Sequence, residues 1–457
     1  MMQFRQTYRQ GGKFVLYTCA PWMVAFGKPT ENVFGTGVSP FAFFSQRDTS
    51  SVLYEKSRFD AVATAAVGKL SEPDAFQTHY NRWRNTAQRL DALSWDIYQT
   101  QDVPYAEVWK TFVDFWADSV FIDCFDAGVD FREMDRIAKK HDLSRADVQL
   151  LTTPMQPSYL QQFEIDASQA ALKQIEPADF LRQFFWYPTN YVDFGALTVT
   201  DANRIIAGHK EKADRTLALW QETRASLASR QQAVLDEKGI GRNPLWFYQA
   251  LMAWRDERKR FNFAGLHGFD RMARECLRDQ SINPTLFTTL WPEEILNQDV
   301  PSEKQLRQRV EKGMLVLMQP DSNELVVGPL AGKLFSKMEE KPQAAALELR
   351  GQPACLGRVQ ARVRIVHAPN DPFHQGEILV TTMTRPEFVP LMKKAAGIIT
   401  DEGGITSHAA VVSRELNVPC IVGLKDATTR LKTGDFIELD AFHGLVRKIS
   451  YQSPSGV

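Results

Sequence analysis

The spacing of apolar and polar residues changes twice along the chain. Residues 1–55 contain aromatic and β-branched runs broken by glycine and proline, a pattern that predicts short strands and loops. From about residue 56 to residue 280 the apolar positions recur with the 3.6-residue period of amphipathic helices. Past residue 350 short β-rich runs alternate with glycines and two short helices. The chain is therefore predicted to be multidomain, mostly α-helical in its N-terminal and central region, with a layered α/β domain at 350–450.

Two segments of the helical region stand out by their length. Ala202–Lys238 is a run of good helix formers that ends before Gly239, and Asp256–Asp279 is a second such run. An apolar run followed by a Pro-Asp-Ser-Asn turn predicts a β-hairpin near 312–330. The segment 56–340 is thus predicted to be a helical domain that carries one hairpin.

Composition and charge exclude several classes of protein. The 54 lysines and arginines nearly balance the 55 aspartates and glutamates, so no excess charge indicates a nucleic-acid or membrane-surface partner. The apolar stretch 14–26 contains Pro21 and is shorter than the roughly 20 residues that a membrane span needs. The five cysteines are far apart and show no metal-ligand spacing, which favours a reducing compartment. We therefore expect a cytoplasmic protein without a membrane segment or a metal site.

The segment Thr400–Val412 carries the chemistry. A strand-like run ends at Thr400, and Gly403 and Gly404 then permit a sharp turn. Thr406 stands where a helix N-cap is expected, and the helix is predicted to end before Asn417. His408 is thereby predicted to lie in the first turn of a helix.

That position suits a histidine that accepts a phosphoryl group. First-turn N–H groups have no partner inside the helix, and the helix dipole favours negative charge at this end. A neutral imidazole is a competent nucleophile near pH 7. A lone histidine at a helix start is usually structural, but the whole Gly-Gly-Ile-Thr-Ser-His-Ala-Ala string favours catalysis by His408 and Thr406. Gly403, Gly404 and Ser407 would complete the phosphate cradle.

The segment Gly403–Gly423 resembles the phosphohistidine domain of the phosphoenolpyruvate-utilising enzymes, a family that includes phosphoenolpyruvate synthase, pyruvate phosphate dikinase and rifampin phosphotransferase. The flanking segments Thr381–Ala396 and Thr428–Val446 also resemble that domain. The resemblance implies a swivelling β/β/α domain, with His408 phosphorylated on Nε2 and supported by Thr406.

Thr384-Arg385-Pro386-Glu387 has the form of a capping box with proline in the first turn, which predicts a helix from there to about Ala396. Arg385 is either a bidentate phosphate ligand beside the cradle or a solvated residue at a helix start.

The family resemblance also implies where the phosphoryl group comes from. Relatives obtain it from an ATP-grasp domain or from a barrel that binds phosphoenolpyruvate. No segment of this sequence resembles either domain. We therefore expect a separate ATP-grasp protein to load His408 in trans. ATP and Mg²⁺ are expected at that partner, and no cofactor is expected to bind this chain directly.

The acceptor is expected in the helical domain. Segments 254–259, 271–276 and 290–295 loosely resemble the helices that precede the histidine domain in relatives, an arrangement in which the helical domain binds the acceptor. The aromatic run Phe184–Tyr191 makes Trp186, Tyr187 and Tyr191 candidates for an acceptor pocket, with core packing as the alternative. The basic cluster 255–260 is either an electropositive dock or a solvated face paired with Asp256 and Glu257.

These observations predict a phosphotransferase that passes the phosphoryl group from His408 to a small-molecule acceptor. Two alternatives stay open at this point. One is a phosphocarrier or regulatory protein whose acceptor is another protein. The other is a non-catalytic scaffold that keeps the swivelling fold, for which the intact histidine motif is unexpected.

Overall fold

The computed structural model describes residues 7–12, 16–46, 49–126, 132–190, 193–319, 323–338, 348–404, 407–441 and 444–449. The N-terminal and central parts of the chain form a helical region with one antiparallel sheet, and the C-terminal part forms a second, mixed sheet with short helices. Within these residues, no helix is both long and apolar enough to cross a membrane.

The sheet of the helical region joins both ends of that region. Its antiparallel strands lie in the order β1-β3-β2-β4-β5, so strands from the start of the chain pair with a hairpin more than 250 residues later. Every residue of β4 is buried, whereas the residues of β5 are exposed or half-buried. The strands are β1 Thr7–Gly12, β2 Phe41–Gln46, β3 Thr49–Glu55, β4 Met314–Met318 and β5 Asn323–Val327.

Residues 1–55 also contain two helices that the sequence pattern did not predict, α1 Leu16–Ala25 and α2 Lys28–Phe34. The prolines in this segment were interpreted as breaks, but Pro29 lies in the first turn of α2, where its missing N–H costs nothing. The helix α1 is buried on nearly every side, so it lacks the polar face that marks an amphipathic helix.

The helical core is organised around one long helix, α13, which packs along α4. Two glycines of α13 permit this approach. A Cβ atom on Gly265 would lie 2.8 Å from Leu90 Cδ2, and one on Gly268 would lie 3.2 Å from Ser94 Oγ. The helices of this region from residue 56 onward are α3 Lys56–Leu70, α4 Pro73–Tyr98, α5 Tyr105–Ala117, α6 Phe121–Asp126, α7 Arg132–Lys140, α8 Arg145–Thr152, α9 Tyr159–Ala171, α10 Pro177–Phe184, α11 Val199–His209, α12 Ala213–Glu237, α13 Trp246–Asp279, α14 Pro292–Leu296, α15 Glu303–Lys312 and α16 Pro329–Met338, with a 3₁₀ helix at Pro284–Thr289.

Two predicted helices differ from the structure in their bounds. The run predicted as one helix, Ala202–Lys238, is divided into α11 and α12 at residues 210–212. The side chain of His209 closes α11, because its Nδ1 bonds the Ile205 carbonyl at 2.8 Å and its Nε2 contacts Glu164 at 3.1 Å. The other predicted helix begins ten residues earlier than expected, at Trp246.

The C-terminal sheet is mixed, with the strand order β6-β13-β12-β8-β9-β10-β11-β7. The long strand β8 joins its two parts, pairing antiparallel with β12 through its first half and parallel with β9 through its second. The elements are β6 Glu348–Arg350, β7 Gln352–Cys355, β8 Arg358–Ile365, β9 Ile378–Thr381, a 3₁₀ helix at Pro386–Phe388, α17 Val389–Met392, β10 Gly397–Thr400, α18 His408–Leu416, β11 Cys420–Val422, α19 Ala427–Arg430, β12 Phe436–Asp440 and β13 Leu445–Lys448.

Alternation along the parallel strands produces three layers. Ile378 and Val380 of β9 pack into a core shared with the antiparallel strands, as Ile437 and Leu439 of β12 do. Leu379, between them in the sequence, packs on the other face into a core shared with α17 and α18. The C-terminal domain is therefore a β/β/α sandwich, with α17 and α18 on the outer face of the parallel strands.

One helix predicted in this domain is much shorter than expected. The sequence indicated a helix from Thr384 to about Ala396, but a 3₁₀ turn and the four-residue α17 are found there. The cap is formed by Arg385 without a side-chain hydrogen bond. Thr384 does not act as the capping residue, because its hydroxyl bonds to a histidine instead.

Candidate active site around His408

His408 is the first residue of α18, the helix that follows the turn after β10. Ser407 is the N-cap, and its Oγ accepts a hydrogen bond from the Ala410 N–H at 3.4 Å. The cap predicted at Thr406 is therefore wrong by one residue, and Thr406 itself lies outside the described residues. The C-terminal end of α18 is the predicted one, with Asn417 in the left-handed conformation at φ +54°.

The backbone before His408 turns in a way that requires glycine. Gly403 has φ +104°, and a Cβ atom there would lie 2.8 Å from the Cβ of Ser407. The carbonyl of Gly404 accepts a hydrogen bond from the Ser407 N–H at 3.0 Å. The turn is thus held close to the start of α18, which brings backbone of Gly403 and Gly404 beside the imidazole-bearing residue.

Thr384 is the functional contact that the sequence analysis missed. Its Oγ1 lies 2.8 Å from Nδ1 of His408, and only 7% of the residue is exposed. When Nδ1 carries the proton and donates it to this hydroxyl, the lone pair of the imidazole is on Nε2. A hydroxyl can donate or accept, so the contact is compatible with this tautomer and holds the ring through Nδ1, which leaves Nε2 as the candidate nucleophile. Thr384 had been interpreted as the first residue of a capping box, which concealed this role.

The surroundings keep the imidazole of His408 uncharged. Burial lowers the pKa of His408, the positive charge of Lys259 lowers it further, and the carboxylate of Glu387 acts in the opposite direction. A histidine with a lowered pKa is neutral near pH 7, which is the form that can attack phosphorus. Lys259 belongs to α13, so the charge of a helix in the helical region acts on this site.

Arg385 lies next to Thr384 in the chain and is half-buried. Burial raises the pKa of the Cys19 thiol in α1 to about 12, and the positive charge of Arg385 opposes part of that rise. Arg385 therefore faces α1 in this arrangement. Its assignment as a phosphate ligand stays a prediction.

Asp401, which precedes the glycine turn, has a structural role. Asp401 is buried and accepts hydrogen bonds from the N–H of Thr428, at 2.9 Å, and from the Thr428 hydroxyl. Burial raises the pKa of Asp401, and the Thr428 contacts oppose that rise. Its own N–H donates to the Thr381 carbonyl at 3.1 Å. Asp401 thus ties the ends of β9 and β10 to α19.

The basic cluster of α13 does not form one surface. Arg258 is buried, pairs with Asp123, donates to the Ser119 carbonyl at 2.8 Å and lies 4.7 Å from the ring centroid of Trp116. It is therefore part of the helical core. Burial also lowers the pKa of Arg260. Lys259 is the member of the cluster whose charge acts at His408.

The aromatic candidates lie inside the helical region. Trp186 is fully buried and donates its indole N–H to the Gln183 carbonyl at 2.9 Å. Tyr187 is half-buried and stacks on Phe163 with ring centroids 3.7 Å apart. Tyr191 lies outside the described residues. Their place in an acceptor pocket stays a prediction.

A cleft of about 570 Å³ opens elsewhere on the helical region, between the end of α4, the start of α5 and the end of α13. Its walls include Tyr105, Arg271 and Cys276. Arg271 is twelve residues from Lys259 on one helix, which is roughly 18 Å along the axis. The cleft is therefore not adjacent to His408.

The fold and the site define a class of β/β/α domains that present one histidine at the start of a helix above parallel strands. Residues 373–444 match the family model described as PEP-utilising enzyme, mobile domain. Over these residues, the C-terminal domain of this chain is thus similar to the mobile domain of the phosphoenolpyruvate-utilising enzymes.

Curated relatives agree with this assignment. Phosphoenolpyruvate synthase of Pyrococcus furiosus is 50% identical over 111 residues, which cover 24% of this chain and 14% of that protein. The probable phosphoenolpyruvate synthase of Methanothermobacter thermautotrophicus is 36% identical over 170 residues, which cover 34% of this chain and 25% of that protein. The chain thus matches a quarter or less of the length of these relatives.

Among solved structures, a solution structure of Enzyme I aligns with 76% of this chain and 81% of that chain, at 11% identity and a TM-score of 0.20. That score is too low to indicate a shared arrangement of the whole chain.

Proposed function

We propose that this protein is a phosphotransferase component that carries a phosphoryl group on Nε2 of His408 and passes it to a small-molecule acceptor bound by the helical region. The observation that carries the proposal is the hydrogen bond between Thr384 and Nδ1 of His408, 2.8 Å long, because it engages Nδ1 and leaves Nε2 as the ring nitrogen that can attack phosphorus. The lowered pKa of His408 supports the same role.

In the first step, Nε2 of His408 attacks the phosphorus of the donor as the bond from phosphorus to the leaving oxygen breaks. The ring then carries a positive charge, which the Thr384 hydroxyl stabilises by accepting the Nδ1 proton in a hydrogen bond. The first-turn N–H groups of α18 bind the phosphoryl oxygens, as helix N-termini bind anions. Gly403, Gly404, Ser407 and Thr406 are the proposed remainder of the cradle.

In the second step, an oxygen of the acceptor attacks phosphorus and the phosphorus–nitrogen bond breaks. The electron pair of the phosphorus–nitrogen bond returns to Nε2, which restores the neutral imidazole. Lys259 supports an acceptor on the side of α13, because its charge already acts at His408 and would attract the phosphorylated ring.

We assign the loading of His408 to a separate ATP-grasp protein that holds ATP and Mg²⁺. The support is the resemblance of the histidine motif to the phosphoenolpyruvate-utilising enzymes, which implies such a donor. Phosphoenolpyruvate is the alternative donor, and the experiment includes it.

Intact mass at mildly alkaline pH tests the carrier step, since a phosphoramidate hydrolyses in acid. The purified protein is incubated with ATP, Mg²⁺ and host extract, and in parallel with phosphoenolpyruvate. We expect the mass of one phosphate to be gained with ATP, lost in His408→Ala and kept in His374→Ala, which changes an exposed histidine of the same domain. No gain with either donor would contradict the proposal.

The class of acceptor is tested separately, on protein already phosphorylated and freed from the donor. Adding the small-molecule fraction of the extract should discharge phospho-His408 and leave no phosphate on protein. Discharge that requires the macromolecular fraction, with the phosphate recovered on another protein, would favour the phosphocarrier alternative.

A further inference from the structure

Two cysteines of the C-terminal domain face each other across neighbouring strands. Cys355 ends β7 and Cys420 begins β11, and the antiparallel register pairs these two residues directly. Both side chains belong to the core beneath α17 and α18, so they lie on the same face of the sheet. Directly opposed residues of an antiparallel pair have Cβ atoms about 4.5–5.5 Å apart, and a disulfide needs about 3.5–4.5 Å. A small shift of one strand therefore closes the gap.

The pairing of the two strands is irregular at this position. The register between β7 and β11 changes between Cys420 and Ile421, so Ala354 is an extra residue on β7 at the point where the cysteine pair lies. Cys355 is followed by Leu356, which is exposed, and by Gly357. One cysteine is thus at the end of an irregular strand, next to solvent.

We propose that Cys355 and Cys420 form a reversible disulfide and that this pair is an oxidative modification site of the domain. Hydrogen peroxide is the co-reactant, because it is small enough to reach a buried thiol. The site is independent of the phosphoryl chemistry at His408.

The reaction begins at Cys355, which is 7% exposed, whereas Cys420 is fully buried. Burial raises the pKa of the Cys355 thiol, and the Arg414 guanidinium opposes part of that rise. The sulfur of Cys355 attacks one oxygen of the peroxide, which gives a sulfenic acid and one water. The sulfur of Cys420 then displaces the second oxygen as water and forms the S–S bond. Two thiols are oxidised and one peroxide is reduced to two waters.

The disulfide would fasten the two strands on which α18 rests. Both β7 and β11 contribute to the core under that helix, together with Ala409 and Ala410 of the helix itself. Because the two cysteines are far apart in the chain, the bond closes a long loop and restricts the unfolded state. The oxidised domain is expected to unfold at a higher temperature than the reduced domain.

The test is thiol counting on the full-length protein after exposure to hydrogen peroxide. The five cysteines should all be alkylated in the reduced, denatured protein, and three after oxidation. Trypsin releases Cys355 in the peptide 351–358 and Cys420 in the peptide 415–425, so mass spectrometry should find these two peptides linked. Dithiothreitol should restore five alkylated thiols and reverse an upward shift of Tm by several degrees.

Variants separate this pair from other thiols. Cys355→Ala and Cys420→Ala should each abolish the linked peptide and the Tm shift, whereas Cys276→Ser, which changes a half-buried thiol of the helical region, should keep both. Five free thiols after oxidation of the wild-type protein would overturn the proposal. So would linkage through another cysteine, or a peptide 351–358 that gains two oxygen atoms without linking.

Discussion

Thr384 and His408 are separated by 24 residues in the chain, and the fold joins them by a hydrogen bond of 2.8 Å between Oγ1 and Nδ1. Thr384 follows β9 and His408 follows β10, two parallel neighbours in the sheet. The carboxyl ends of parallel strands lie at the same edge, so residues that follow them meet there. The orientation of the candidate nucleophile therefore depends on strand order.

Thr384→Val tests this contact, because it keeps the shape of the side chain and removes the hydroxyl. We expect the rate of His408 phosphorylation to fall roughly ten- to a hundredfold, since a hydrogen bond to a charged group contributes about 1.5–3 kcal/mol. Intact-mass time courses with ATP and the loading extract measure the rate. Thr384→Ser retains a hydroxyl and should keep most of the wild-type rate of phosphorylation. Equal rates in the valine variant and the wild type would show that the contact does not orient the ring.

Lys259 provides a prediction about pH. The neutral imidazole is the nucleophile, so the rate of phosphorylation should rise with pH through the pKa of His408, which burial and Lys259 lower. Lys259→Met removes a positive charge that disfavours protonation, so the pKa should rise and the ascending limb should move to higher pH. Glu387→Gln removes the opposing charge and should move the limb to lower pH. Proton NMR titration of His408 checks both shifts, and identical titration curves would contradict the proximity of Lys259.

The close approach of α13 to α4 is tested by two glycine substitutions. Gly265→Ala places a Cβ 2.8 Å from Leu90 Cδ2 and 3.0 Å from Phe112 Cζ, so the free energy of unfolding should fall by about 1–3 kcal/mol. Gly208→Ala is the matched control, since Gly208 lies in α11 with open space around its Cα. It should stabilise the protein by about 0.5–1 kcal/mol. Urea unfolding measures both, and a neutral Gly265→Ala would mean that the helices separate without cost.

The sequence predicted the C-terminal domain well because its signals are local. The strands 378–381, 397–400 and 436–440 were all indicated by short apolar runs between glycines, and His408 by its own motif. Thr384 was missed because residues 384–387 match the capping-box pattern in the sequence. In the fold, Arg385 is the cap and the Thr384 hydroxyl bonds to His408. Only the pairing of β9 with β10 shows that Thr384 contacts His408 and does not cap a helix.

The helical region was predicted less completely because its organisation is not local. The pairing of β2 with β4 joins residues far apart in the chain, and no sequence spacing indicates that contact. The helix α1 is buried on most sides and so lacks the periodicity on which helix prediction depends. The contribution of Lys259 to the surroundings of His408 depends likewise on how two regions of the chain lie together.

His267 should make the helical region sensitive to acid. The residue is 8% exposed on α13, and burial, followed by the charge of Arg271, lowers its pKa to about 4. A histidine in the unfolded chain has a pKa near 6.5, so protons bind the unfolded state more tightly. The stability contributed by neutral His267 is therefore fully present above pH 6.5 and is lost progressively as the pH falls toward 4.

The size of this loss follows from the difference between the two pKa values, and it amounts to about 3 kcal/mol across that interval. Urea unfolding at pH 7 and pH 4.5 measures it. His267→Leu replaces the ring with a nonionisable side chain beside Phe185, so the difference in unfolding free energy between the two pH values should shrink. His374→Ala, at an exposed position, should leave it unchanged. An equal acid response in wild type and His267→Leu would assign the sensitivity to other groups, such as the buried carboxylates.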